Sequence, residues 1–343
     1  MWGTILAMNH LGAATIAVLH GPDDRPPGMS RIPLEHDVRY ATPAELPDAL
    51  HGADVLFVWD FTSDALAGAW SSAKSLRWVH VAGAGVDRVI FEDLAASDVV
   101  VTNSRGVFDE PMAEYVLGLV ILFAKDFATT LRMQQQRRWR HRETMRVAGQ
   151  HALVIGTGPI GRAIGRKLNA AEMRISGLGR TKRTNDPDFG EVSPMSELRQ
   201  ALGEADYVVL AAPLTEETTG MIDSVGLAAM KPTARLINVG RGPLVVQNDL
   251  VEALRDRRIA GAALDVFEDE PLPTSSPLWE MPQVVVSPHM SGDVIGWRDE
   301  LVTLFIENLE RYRTEKPLVN VVDKRLGYVR TDPAQDNAPT RRA

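Results

Sequence analysis

The sequence predicts an α/β protein of two domains, each built on a parallel sheet. Three observations lead there. Short apolar runs alternate with helical stretches along most of the chain, which implies strands buried on both faces by helices. A glycine pattern, "GTGPIG" (Gly156–Gly161), closes the first strand of a second such series. Polar residues with chemical capacity stand at the ends of the late strands, where an open parallel sheet places its ligands.

Bulk properties narrow the class. The chain has 343 residues, enough for one large or two medium domains and an ample core. Apolar residues make up 45% and charged residues 24%, as in an ordinary globular protein. With a net charge of −8 it reads as an acidic chain without a basic tract, which argues against nucleic acid as a partner. The absence of cysteine excludes disulfides, thiolate metal sites and cysteine nucleophiles, and fits a cytoplasmic setting. The histidines are scattered without ligand spacing, so no metal site is expected. The start, "MWGTILAMNHLGAATIAVLH", lacks a basic n-region and is read as a loose extension entering a strand, not as a signal peptide. The longest apolar run, within Tyr115–Ala124, is shorter than the ~20 residues a bilayer requires, so no membrane association is expected.

The elements follow in order. Strands are expected at Thr15–Leu19, Asp54–Trp59, Arg77–Val81 and Asp98–Thr102. Between the first two, Thr42 is a candidate N-cap with Pro43 in the first turn of a helix running to Leu50. One long helix is expected from about Glu110 to Trp139, able to link two domains and to offer an apolar face to a second subunit. Six more strands are expected at Ala152–Gly156, Arg174–Gly179, Tyr207–Pro213, Arg235–Gly240, Gly261–Phe267 and Gln283–His289, the number of a full dinucleotide-binding sheet. A last helix is expected over about Arg298–Glu315, before "PLVNVV". The tail 331–343 has little to bury and is expected to be disordered.

The glycine motif has the context a dinucleotide needs. "ALVIG" supplies the strand, Gly156 the tight turn, Gly158 the close approach of a pyrophosphate, and Gly161 the helix–strand packing. Pro159 and Ile160 lie inside the loop, and the helix after it turns its positive end toward the phosphates. Pro213, Thr218 and Val239 complete the residues expected to line the cofactor. About 20 residues past the motif an acid normally binds the adenosine ribose. Here that place is Gly179, followed by Arg180, Thr181, Lys182 and Arg183. Arg180 and Thr181 are suited to a 2′-phosphate, so NADP(H) is the preferred cofactor and NAD(H) a possible one. The plainer alternative is a solvated loop and an enzyme indifferent to the phosphate.

Arg241 follows the strand "LINVG", Glu270 follows "ALDVF", and His289 ends "VVVSPH". Such residues can converge beside the nicotinamide end of a cofactor. "VIGTGPIG", "NVGRGPLV", "ALDVFEDEPLP" and "SPHMSG", in this order and spacing, resemble the D-isomer-specific 2-hydroxyacid dehydrogenase family, from about Thr15 to about Val322. "FVWDF" and "LRWVHVAGAGVD" further resemble its glyoxylate/hydroxypyruvate reductase branch.

The resemblance implies two Rossmann-like or flavodoxin-like domains with the active-site cleft between them. A discontinuous substrate domain (1–102 and 293–330) would enclose a dinucleotide-binding domain (103–292). It implies a homodimer joined mainly through the cofactor domains. It also implies that the backbone amides of Ala84 and Gly85 hold the substrate carboxylate, and that Asp265 lies near the nicotinamide carboxamide. The expected chemistry is reduction of a small 2-oxo acid of the glyoxylate or hydroxypyruvate kind to the D-2-hydroxy acid. His289 is the expected proton donor, Glu270 its partner, and Arg241 the clamp on the carboxylate. Trp59 is read as a wall of the substrate pocket, with core filling as the alternative. Met290 and Trp297, just after the histidine, either close the pocket or pack the returning helix. "SGDVIGW" departs from the commoner family sequence there. Two other readings stay open: a cofactor-sensing protein akin to corepressors of this fold, and a short phosphoglycerate dehydrogenase-like enzyme.

Overall fold

A computed structural model of the chain describes residues 12–330. The expectations for the first eleven residues and for the tail 331–343 lie outside the described residues. The chain divides into two compact units, Met1–Val107 with Ile295–Ala343, and Phe108–Val294. The breaks fall at 107/108 and 294/295, where the sequence reading set them at 102/103 and 292/293.

In the first unit, strands β1 (Thr15–Leu19), β2 (Asp37–Ala41), β3 (Val55–Val58), β4 (Trp78–Val81) and β5 (Val100–Asn103) form one parallel sheet in the order β2-β1-β3-β4-β5. The central strands β3 and β4 are buried at every residue, which is why they read as continuous apolar runs. Strand β2, "DVRYA", was not anticipated. It is an edge strand carrying an Asp37–Arg39 ion pair, so it lacks the apolar signal of a buried strand. Thr42 does not cap the next helix. That helix is Leu46–Leu50 with Glu45 at its N-cap position, and Thr42 instead bonds the Glu45 carboxylate through its amide and hydroxyl. The helix Trp297–Arg313 returns late in the chain to cover the sheet. Its Phe305 stacks on Phe57 with ring centroids 4.2 Å apart and lies 5.4 Å from Trp78, all three fully buried.

In the second unit, strands β6 (His151–Ile155), β7 (Arg174–Gly179), β8 (Arg183–Asp186), β9 (Gly190–Pro194), β10 (Tyr207–Leu210), β11 (Arg235–Asn238), β12 (Gly261–Leu264) and β13 (Val284–Val286) form one sheet. Their order is β13-β12-β11-β10-β6-β7-β9-β8. All pairs are parallel except β8 with β9. The order reverses between β6 and β10, so the carboxyl ends of those two strands open the ligand crevice of a doubly wound sheet. The hairpin β8–β9, "RTNDPDFGEVSP", was missed because it is polar and lies at the sheet edge.

The long helix expected over Glu110–Trp139 is broken. It forms Asp109–Ala124 and Phe127–Gln135, with Asp126 in the left-handed region at φ 50°. Residues 137–147 then fold back as an arm. Arg142 bonds the Asp126 carboxylate at 2.8 Å and its carbonyl at 2.7 Å, while Lys125 Nζ and the Met145 amide close the arm against Met145 O and Ala124 O. Apolar spacing continues across the break, so periodicity gave no warning of it. Ala113, Val116 and Val120 of the first piece pack with Ala163, Ile164 and Leu168 of the helix Pro159–Ala170. Among the described residues, no helix is long and apolar enough to cross a membrane.

Candidate functional site

The glycine loop lies between β6 and the helix Pro159–Ala170, at the sheet's point of reversal. Gly156 has φ 101°, and a Cβ there would stand 2.5 Å from Ala212 N, so both conformation and space demand glycine. At Gly161 a Cβ would come within 1.8 Å of Gly156 O, so the helix and the turn touch backbone to backbone. At Gly158 a Cβ would meet no protein atom within 4 Å. Protein packing therefore does not require that glycine, whereas a ligand laid on the loop would. Pro159 opens the helix and Ile160 follows, leaving the helix N-terminus directed at the same place. Pro213 and Thr218 are knitted together across the β10 end: Thr218 Oγ1 donates to Pro213 O at 2.8 Å and accepts from the Thr215 amide at 2.8 Å. Val239, by contrast, is buried in the core after β11.

The end of β7 explains the missing acid. A Cβ at Gly179 would stand 2.9 Å from Thr157 Oγ1, in the glycine loop itself. That hydroxyl accepts from Arg183 Nη2 at 2.7 Å. Arg183 Nε also reaches Asp186 at 3.1 Å, and Arg162 binds Asp186 in a fork at 2.9 and 3.0 Å while reaching Asp188 at 2.7 Å. Burial works to raise the Asp186 pKa, but Arg162, the Asp188 amide and Arg183 overrule it and hold the carboxyl below its ordinary range. Arg180 and Thr181 lie exposed between β7 and β8. Sequence reading missed Thr157, Arg162 and Asp186. Their link joins a loop, a helix and a hairpin, and no short motif carries it.

At the other end of the sheet, Glu270 and His289 meet. Glu270 Oε2 lies 2.7 Å from His289 Nδ1, and Oε1 accepts from the Phe267 amide at 2.9 Å. Burial alone would raise the Glu270 pKa. The hydrogen bonds from His289 and Phe267, with the charge of Arg241 nearby, lower it overall and keep the carboxylate ionised. Arg241 is brought to the pair by a close backbone crossing, since a Cβ at Gly242 would overlap the Phe267 carbonyl at 1.9 Å. The Arg241 carbonyl accepts from Asn238 Nδ2 at 2.9 Å and its guanidinium donates to Gly240 O at 2.8 Å.

Asp265 is 2% exposed, and its carboxylate is engaged by the histidine loop. It accepts from Ser287 Oγ at 2.7 Å, from the Met290 amide at 2.9 Å and from the Ser291 amide at 2.9 Å. Its carbonyl takes the His289 amide at 2.8 Å. These bonds hold His289 at φ 52°, a conformation costly for a residue with a Cβ. Asp265, expected at the nicotinamide carboxamide, is thus also the anchor of the histidine.

In the other unit, Ala84 and Gly85 form a half-buried loop after β4. Trp59 is 3% exposed, its Nε1 donates to Asp24 Oδ2 at 3.1 Å, and its ring lies under Arg298 at 5.1 Å and parallel to Trp297 at 6.5 Å. Trp297 packs the returning helix, while Met290 is exposed.

A profile of the NAD-binding domain of D-isomer-specific 2-hydroxyacid dehydrogenases matches residues 117–291. A glyoxylate reductase of Korarchaeum cryptofilum is 33% identical over 272 residues, covering 77% of this chain and 81% of that one. The chain belongs to the D-isomer-specific 2-hydroxyacid dehydrogenase family. It is an NAD(P)-dependent oxidoreductase whose family acts on small 2-oxo and 2-hydroxy acids. A family member from Xanthobacter autotrophicus, solved with NADPH and MES, is 32% identical to the dehydrogenase, with 92% of this chain and all of that one covered and a TM-score of 0.77. An NADPH-dependent glyoxylate/hydroxypyruvate reductase from Sinorhizobium meliloti, solved with NADP and sulfate, is 28% identical, with the same coverage and a TM-score of 0.79.

Proposed function

We propose that this dehydrogenase reduces a short 2-oxo acid, of the glyoxylate or hydroxypyruvate kind, to the D-2-hydroxy acid, and that NADPH is its preferred cofactor. The observation that carries the reading is the Glu270–His289 contact of 2.7 Å beside Arg241, in the same unit as the glycine loop. The unit Phe108–Val294 is the cofactor domain and the other is the substrate domain. A nicotinamide cofactor held on the glycine loop would supply the hydride for C2 of the substrate. His289 delivers a proton to the carbonyl oxygen through Nε2, because Nδ1 faces Glu270. Glu270 pairs with Nδ1 and fixes the orientation of the ring. Arg241 binds the carboxylate and polarises the carbonyl, and the amides of Ala84 and Gly85 complete the carboxylate site.

NADPH preference rests on the same place as the missing acid. Gly179 leaves no carboxylate to repel a 2′-phosphate, and Arg180, Thr181 and Arg183 follow it in the chain. One charge-assisted hydrogen bond contributes about 1.5–3 kcal/mol, a roughly ten- to hundredfold preference. The relatives solved with NADPH or NADP support the choice by likeness. A homodimer formed through the segment Phe127–Val147 and a cytoplasmic location complete the proposal.

The test is a panel of short 2-oxo acids assayed with NADPH and NADH, on the wild type and on His289→Ala. Turnover is expected, with kcat/KM at least roughly tenfold higher for NADPH. The His289→Ala variant should lose kcat by roughly two to four orders of magnitude while NADPH binding, read by nucleotide fluorescence, survives. Equal use of both cofactors sinks the NADPH preference. Turnover retained by the variant removes His289 as proton donor. Tight NADPH binding with no turnover on any 2-oxo acid makes the protein a cofactor sensor instead.

A further inference from the structure

We infer that Asn103 is a positioning residue for the substrate carboxylate: it sets the peptide between Ala84 and Gly85 so that the Gly85 N–H faces the anion. The inference rests on the reading above that the Ala84 and Gly85 amides hold that carboxylate. It concerns a residue in the substrate domain, remote in sequence from Arg241, Glu270 and His289.

Strand β5 ends at Asn103, and the next residue is Ser104. Both are buried, Asn103 at 3% exposure and Ser104 completely. Between them they take up the carbonyls of the loop after β4. Ser104 Oγ donates to Val81 O at 2.9 Å, the Ser104 amide donates to Gly83 O at 3.0 Å, and Asn103 Nδ2 donates to Ala84 O at 2.6 Å. A trans peptide is planar, with its C=O and the following N–H on opposite sides. Drawing the Ala84 carbonyl toward Asn103 therefore turns the Gly85 N–H away from it. Among the described residues, neither the Ala84 nor the Gly85 amide donates to a protein group. Two consecutive amides without a protein acceptor, on a half-buried loop, are available to an anion.

The Asn103 side chain cannot serve equally well reversed. Its Oδ1 accepts from the Arg105 amide at 3.3 Å while its Nδ2 faces a carbonyl, so the two neighbours together dictate which end points where. The backbone of Asn103 is fixed in turn by Asn320, in the "PLVNVV" segment. Asn320 Nδ2 donates to Asn103 O at 3.2 Å and Arg105 O at 2.8 Å, and its carbonyl accepts the Asn103 amide at 3.3 Å. The returning chain, the end of β5 and the anion loop thus form one bonded series, Asn320–Asn103–Ala84. Satisfying a buried amide would require only some partner for each end. Here one partner is the carbonyl whose direction determines where a proposed substrate ligand points.

Asn103→Asp tests this with almost no change of shape. It keeps the acceptor for the Arg105 amide but sets a carboxylate oxygen against Ala84 O, which favours rotation of the Ala84–Gly85 peptide. Asn103→Ala removes the donor without the repulsion. Each is compared with the wild type, as full-length enzyme with NADPH, on a short 2-oxo acid and on its uncharged 2-oxo amide. The expected result is a fall of roughly tenfold or more in the preference for acid over amide, carried by KM for the acid, with the KM for NADPH unchanged. A purely structural role would lower both substrates alike or act through thermal stability alone. Where the Asp variant does not fold, the Ala variant is read in its place. An unchanged acid-to-amide ratio in a folded variant overturns the inference. A wild type that shows no preference for the acid instead overturns the reading that these amides hold a carboxylate.

Discussion

Gly179 stands where the adenosine-binding acid of a dinucleotide fingerprint is expected, and the neighbour that excludes a side chain there is Thr157. The Thr157 hydroxyl is held by Arg183, which is tied to Asp186, so it is not free to swing aside. Forcing a Cβ into such a place costs roughly 1–3 kcal/mol through overpacking. Gly179→Asp alone is therefore expected to weaken both cofactors, by distorting the glycine loop as well as opposing the phosphate. Adding Thr157→Ala and Arg180→Ala makes room for the carboxylate and removes a phosphate partner, and the triple variant should shift its kcat/KM ratio toward NADH. If the single variant keeps wild-type NADPH kinetics, Thr157 is not the constraint. At this scale the sequence marked the residues that follow strand ends, Arg241, Glu270 and His289, because strand ends are visible as the close of an apolar run. It could not mark Thr157, Asp186 or Asn103, whose partners lie in other elements and whose types are common in ordinary turns.

Elements were legible in proportion to their burial. Strands β1 and β7 fall on their expected bounds, β3, β4 and β10 to β13 lie within theirs, and β5 and β6 each run one residue outside theirs at one end, since most parallel strands covered on both faces are written as runs of Val, Ile, Leu and Ala. The edge strands β2 and β8, with β9 beside β8, carry charge and turn residues and left no such mark. One buried strand contains an exception with consequences for stability. His80 on β4 is fully buried among Trp78, Phe57 and Phe305, its Nδ1 2.8 Å from a Thr102 hydroxyl that also accepts Trp78 Nε1 at 2.8 Å. Its Nε2 faces Ser104 Oγ, with no carboxylate among these neighbours. Burial lowers its pKa from 6.5 to about 3. Between those values the unfolded chain takes up a proton that the folded chain refuses. Stability from this group is complete above pH 6.5 and declines as pH falls toward 3, by about 1.4 kcal/mol per pH unit at most. His80→Gln removes that dependence. In urea unfolding at pH 7, 6 and 5, the stability gap between wild type and variant should shift against the wild type by about 1 kcal/mol between pH 6 and 5. A gap that stays constant from pH 7 to 5 would falsify the assignment of a neutral, proton-refusing His80.

At the scale of the whole molecule, the surface of the cofactor unit carries one feature that the net charge conceals. Residues 132–146 hold six arginines against one glutamate in a chain of net charge −8, so the expectation of no basic tract was wrong locally. On this stretch and the helix before it, Phe127, Leu131, Trp139 and Met145 are exposed, Trp139 completely. Large apolar side chains exposed along one helix and the arm after it are unfavourable in water and are a feature of surfaces that bind partners. The arm is not loose: the Arg142 bonds to Asp126 and Thr130 and the Lys125 bond to Met145 hold it in a defined shape, which lowers the entropy lost on docking. In the proposed homodimer a second copy of this acidic chain would supply the complementary charge, and a two-fold pairing would let each arm meet the other subunit's body. Light scattering coupled to size exclusion should then give roughly twice the 37.6 kDa chain mass at micromolar concentration. Leu131→Glu with Trp139→Ser should give a folded particle of single-chain mass, because it places charge in the apolar strip and removes its largest anchor. Rising salt should weaken the wild-type pair if the arginines contribute, since exposed charges are screened over about 8–10 Å. A wild type of single-chain mass at tens of micromolar would leave the arm without a partner in its own kind.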